Sequence, residues 1–145
     1  MFYNIFLIIF IFIISSCQTH GYFITDSNLI VPESRKAITA VIGKPRFISM
    51  NGRELFSDYH DKNFKTIDIT TRTPLRYYTS VTILGARRPY EINIQVIREE
   101  FEKETGTYVN TGLDDGLSEK RAREIKKAHN YSLEKQQKFD GDNPF

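Results

Sequence analysis

The chain has 145 residues, 40% hydrophobic and 26% charged, with 20 Lys and Arg against 18 Asp and Glu for a formal net charge of +2. So even a balance gives no chain-wide basic footprint, and nucleic acid is not an expected partner. A single cysteine, Cys17, rules out an internal disulfide, so stability has to come from packing.

In chain order, the first feature is an uncharged apolar run from Ile5 to Ile14. A bilayer-spanning helix needs about twenty such residues, so ten suit the core of a secretory signal peptide better, with Ser15 and Ser16 as the small residues before a cleavage point. Residues 1–16 lack Lys and Arg, and only the amino terminus supplies positive charge there. The four residues that end this segment, Ile14-Ser15-Ser16-Cys17, resemble the lipobox of bacterial lipoproteins: an aliphatic residue, two small residues and the Cys that becomes the mature terminus. The resemblance implies a processing route rather than a fold. In that family the Cys sulfur takes a diacylglyceryl group, a peptidase cuts before it, and the new amino terminus is acylated with a fatty acid such as palmitate. Each buried methylene contributes about 0.8 kcal/mol, and two or three chains hold a protein on a membrane. By the same resemblance, Gln18 after the Cys implies passage to the outer membrane, facing the periplasm.

Without residues 1–16 the chain is long enough for one domain with its own core. Residues 17–35 read as a lipid-anchored tether, because Gly21, Ser27, Asn28, Pro32 and Ser34 interrupt it. Its aromatic and aliphatic residues predict that the second half docks on the domain. Residues 36–139 then form a single α+β domain, and 140–145 a C-terminal tail.

Within the domain, "AITAVIG" (37–43) predicts a short strand closed by Gly43 and Pro45. "RFISM" and "RELF" flank Asn51-Gly52, a two-residue hairpin signal. "TIDIT" (66–70) alternates apolar and polar residues as a half-buried strand does. The strongest signal is the pair 75–84 and 90–101, joined by a short polar connection and therefore antiparallel. In its second member Ile92, Ile94 and Val96 fall on one side, with Glu91, Asn93, Gln95 and Glu99 on the other. "GTYVNTG" (106–112) offers a third strand. A helix over 117–138, preceded by Asp114 and Asp115 as caps, is expected to cover this sheet with a thin apolar stripe. The fold class is therefore α+β: a small antiparallel sheet with β-hairpins and a C-terminal helix packed on it.

Residues able to carry chemistry are scattered. Asp58 and His60 could share a strand face as metal ligands, but a metal needs a third ligand, and His20 and His129 fall in the tether and on a solvated helix. No metal or other cofactor is expected. Asp114-Asp115 is explained by helix capping. No glycine-rich phosphate loop and no G-x-S-x-G elbow is present, so no catalytic residue is assigned and the chain is not expected to be an enzyme. The tail "DGDNPF" stops short of a calcium loop. Arg87 and Arg88 at the hairpin tip could grip an anion, and Lys120, Arg121, Arg123, Lys126 and Lys127 read as a mixed-charge solvent face of the helix. Possible partner-binding residues are thus Arg87, Arg88, Asn93 and Gln95, with Cys17 for lipid. These features point to an envelope lipoprotein that binds another envelope protein as an accessory or assembly factor. The alternative is a small-ligand or glycan binder.

Overall fold

The structure, a computed structural model, describes residues 21–142, with side chains from 21 to 139. In chain order it contains β1 (Tyr22–Ser27), α1 (Val31–Ile42), β2 (Phe47–Ile48), β3 (Glu54–Phe56), β4 (Leu75–Leu84), β5 (Tyr90–Glu102), β6 (Thr107–Leu113) and α2 (Asp115–Asp142). The fold is α+β. One open antiparallel sheet of six strands runs β1-β5-β4-β3-β2, with β6 also on β5, and the C-terminal helix packs on it.

The centre is the β4–β5 hairpin, whose alternation sets the register Val81↔Ile94 and Ile83↔Ile92. Those four side chains, with Ile24, Ile38, Leu55, Ala122 and Ile125, make one core between the sheet and both helices. Full burial of an Ile or Val contributes about 1.5–3 kcal/mol, so the hairpin alone brings a large share of the apolar term. The second hairpin forms around Asn51-Gly52 as expected, but with a longer loop than a two-residue turn: the Gly52 N–H donates to the Ser49 carbonyl, Gly52 alone takes the left-handed conformation at φ 67°, and Asn51 Oδ1 accepts the Arg53 N–H.

β5 is longer than either strand on its outer side, and it shares that side between two of them. β1 pairs with Tyr90 to Ile94, and β6 with Ile97 to Glu102. In the gap, the Val96 N–H donates to Ser118 Oγ at 2.8 Å, and the Val96 carbonyl accepts from the Asp114 N–H at 2.9 Å. Asp114 also caps α2 as expected, Oδ1 accepting the Leu117 N–H.

Three expectations are corrected. Residues 37–42 belong to helix α1, because Pro32 and Glu33 open it and Gly43, at φ 77°, closes it by donating to the Thr39 carbonyl. Residues 66–70 form no strand beyond one bridge of Thr66 to His60. There the Asp68 carboxylate takes the Thr70 N–H and hydroxyl, a local turn that competes with a ladder, and Ile69 stays exposed. Finally, the expected tether over 17–35 is folded from Tyr22 onward as β1 and the first turn of α1. At the other end the backbone of α2 runs through Asp142, into the segment expected as a tail. Cys17 and His20 lie outside the described residues.

Candidate functional site: the free face of the sheet

Opposite the helices, the sheet carries a row of aromatic rings and guanidinium groups. Strand alternation puts Phe47, Phe56, Tyr78, Arg76, Glu99, Phe101 and Tyr108 on this side, since Phe47 pairs with Phe56, Phe56 with Ser80, Arg76 with Glu99 and Phe101 with Tyr108. The Arg76 guanidinium sits 3.6 Å from the Tyr59 ring centre and 3.5 Å from that of Tyr108, a sandwich. Its Nε donates to Glu99 Oε2 at 2.7 Å, and both side chains are only 15% exposed. The Tyr108 hydroxyl donates to the Thr73 carbonyl and fastens the 57–74 connection over the row. Arg76 is therefore committed to structure.

Arg46 is different. It lies over the Tyr59 and Tyr78 rings at 4.4 and 4.7 Å, donates through Nε to the Ser57 carbonyl, and is exposed. It forms no ion pair among the described residues. Beside it Phe47 stacks on Phe56 at 5.0 Å while remaining 43% exposed, and Ile48 and Met50 are exposed with it. Because β2 is the last strand on this side among the described residues, the cluster sits at a sheet edge.

The two histidines among the described residues are buried and hydrogen-bonded. His60, 4% exposed, continues the β3 path by exchanging backbone hydrogen bonds with Tyr77. Its Nδ1 contacts the Asp61 carbonyl at 2.8 Å, which can only accept, so Nδ1 carries the proton and Nε2 accepts from Thr79 Oγ1. Burial pushes this imidazole below its ordinary value, the Asp61 carbonyl bond opposing and Arg121 adding. His129, expected on a solvated helix face, is 2% exposed and lies 2.7 Å through Nε2 from the Ser27 hydroxyl, itself fully buried. Burial lowers its pKa as well, an interaction with Asn130 opposing. This Ser–His pair has the spacing of a nucleophile and base, yet solvent does not reach it and no carboxylate bonds the ring among the described residues. It pins α2 to β1.

Of the residues singled out from sequence, Asn93 and Gln95 lie on the free face as expected, but a Cβ on Gly21 would collide with Asn93 Oδ1, so the start of β1 crosses close above them. Arg87 and Arg88 are exposed at the β4–β5 tip, where Arg88 donates to the Asn28 carbonyl. The structure does not bring them to Asn93 and Gln95. Asp58 and Asp61 spend carboxylate oxygens on nearby backbone N–H groups, and among the described residues no three His, Cys, Asp or Glu gather as metal ligands. Arg121, expected in the solvent face of the helix, points inward: its guanidinium stacks on Phe64 at 3.7 Å and donates to the Val41 carbonyl and Glu124. Arg123 pairs with Glu119 one turn away, as expected.

Sequence reasoning missed the Arg46 row. The signal was present as an alternation of Arg, Phe and Tyr across three separate strands, and only their register assembles it. A groove of about 620 Å³ also lies between α1 and α2, lined by Ile30, Ala37, Ala40, Ala128 and Tyr131. No helix among the described residues is long and apolar enough to cross a membrane. Set against protein-family models, curated proteins and solved structures, the chain matches none of them.

Proposed function

We propose that this is a lipoprotein of a bacterial envelope, acylated at Cys17 and most simply placed in the outer membrane facing the periplasm, which binds another envelope protein without catalysing a reaction. The binding half rests on one observation: an exposed arginine with no ion pair among the described residues, flanked by tyrosines and an exposed phenylalanine at a sheet edge. Tyr and Arg are the residues that dominate protein–protein hot spots, and an edge strand can accept a partner strand through its backbone. The anchoring half rests on residues 5–17. In support of a non-catalytic role, the side chains best suited to act as base or nucleophile, His60, His129 and Ser27, are buried, with His60 bonded to Asp61 and Thr79 and His129 Nε2 to Ser27.

Two measurements test the two halves separately. Feeding cells a labelled fatty acid should tag the wild type and leave Cys17→Ser untagged; equal tagging ends the lipoprotein reading. Photo-crosslinkers at Phe47 and Ile48 in intact cells should trap one or a few envelope proteins reproducibly. The α1–α2 groove favours a second reading, a small-ligand or glycan binder, which replaces the first if nothing is trapped and a soluble glycan or metabolite raises the thermal midpoint by mass action.

A further inference from the structure

The outer edge of the sheet, where β1 and β6 lie end to end along β5, is unusual in charge. Apart from Asp26 near the end of β1, residues 21–27 and 105–113 contain no Asp, Glu, Lys or Arg, in a chain where 26% of residues are charged. Sheet edges that face water are ordinarily blunted by charged side chains, Lys above all, because an uncharged edge invites pairing and aggregation. This one instead exposes Tyr22, Phe23, Val109 and Leu113. Both strands pair only with β5 among the described residues, so their outer N–H and C=O groups need polar company.

The position of Cys17 says what that company is. Gly21 leads directly into β1, and four residue steps separate it from Cys17, so the chain can span at most about 14 Å between them. A lipid on Cys17 thus brings the start of β1, and Leu113 just beyond it across the Val96 gap, to the surface of the bilayer. The headgroup layer is about 6 Å deep on each side, wet and rich in hydrogen-bonding groups. It can satisfy strand edges that the hydrocarbon cannot, and it favours aromatic rings at its boundary.

We infer that the β1–β6 edge rests on the bilayer with Tyr22, Phe23, Val109 and Leu113 in the headgroup layer, the sheet standing away from the membrane. This rests on the lipid at Cys17. Four strand spacings of about 4.8 Å then carry β2 and the Arg46 cluster roughly 19 Å outward, to the side a partner can approach.

The test uses the full-length lipidated protein in vesicles of phosphatidylethanolamine and phosphatidylglycerol. Val109→Cys and Met50→Cys, both exposed positions, each receive an environment-sensitive fluorophore, and headgroup spin-labelled lipid serves as quencher. The expected result is flotation with the vesicles and quenching several-fold stronger at 109 than at 50. Flotation with equal quenching at the two sites overturns the orientation and leaves the anchor standing. Failure of the wild type to float overturns the anchor, and the orientation with it. A photo-crosslinker at Val109 that captures a protein in cells, with no lipid quenching at that site, overturns the inference in favour of strand addition by a partner.

Discussion

The Val96 amide donates to the Ser118 hydroxyl at 2.8 Å in the one place where β5 has neither β1 nor β6 beside it. The same hydroxyl donates to the Asp114 carbonyl at 2.7 Å, so one buried side chain closes a sheet edge and steadies the first turn of α2. Ser118→Ala leaves the Val96 N–H buried without an acceptor, which costs about 1–3 kcal/mol. Urea titration should show a lower midpoint with an unchanged slope.

A pair of isoleucines separates the real strand from the one that did not form. Ile94 is fully buried at the centre of the core, whereas Ile69 is 70% exposed in the 57–74 connection. Ile94→Ala is expected to cost about 2–5 kcal/mol through lost burial and a cavity. Ile69→Ala should stay within about 0.5 kcal/mol, as surface substitutions do. Equal losses in urea would restore the strand at 66–70.

The two arginines of the free face should respond differently to lysine. Arg76 uses its plane between two rings and its fork toward Glu99, neither of which an ammonium reproduces. Arg76→Lys is therefore expected to cost about 1–3 kcal/mol. Arg46→Lys, at an exposed site, should cost less than about 1 kcal/mol while reducing partner capture in the crosslinking assay.

Acid should weaken the fold in a defined window. His60 and His129 are both held below the ordinary value of 6.5, chiefly by burial. Below that value the unfolded chain binds protons that the folded chain refuses, so stability is flat above it and declines as pH falls toward the folded-state values. The slope is at most about 1.4 kcal/mol per pH unit for each histidine. The exposed carboxylates Asp61 and Asp68, lowered by hydrogen bonds from backbone N–H groups, act only near and below 3.8, a separate window. Urea midpoints measured between about pH 7.5 and 5.5 should fall; no change would mean that both rings reach water.

Much of the sheet was legible because alternation is a strong local signal. The β4–β5 hairpin, the Asn51-Gly52 turn, β6 and the cap of α2 all follow from residues within a few positions of one another. Helix α1 was misread because Ile38, Val41 and Ile42 are β-branched, and that preference is weaker than the stop and start set by Pro32 and Gly43 together with burial of Ala37 and Ile38 on one side. β1 was misread as tether since its partner lies some seventy positions away, and a short strand with a polar neighbour at each end has no local signature. The Arg46 row and the Ser27–His129 pair were invisible for the same reason: pairings such as Ser27 with His129 exist only once register and helix placement are set.

The division of the outer side of β5 has a consequence for the order in which the chain can assemble. β4, β5 and β6 join through short turns, so their pairing closes small loops, whereas Tyr22 reaches Ile94 only by closing a loop of about seventy residues. The pairings of the meander need no residue beyond 75–113, whereas the half-edge at Tyr90 to Ile94 takes a strand that is synthesised first. The earliest segment of the described fold to be made thus carries the largest loop-closure cost among the pairings of the sheet, and Ile24 joins the core only when that loop closes.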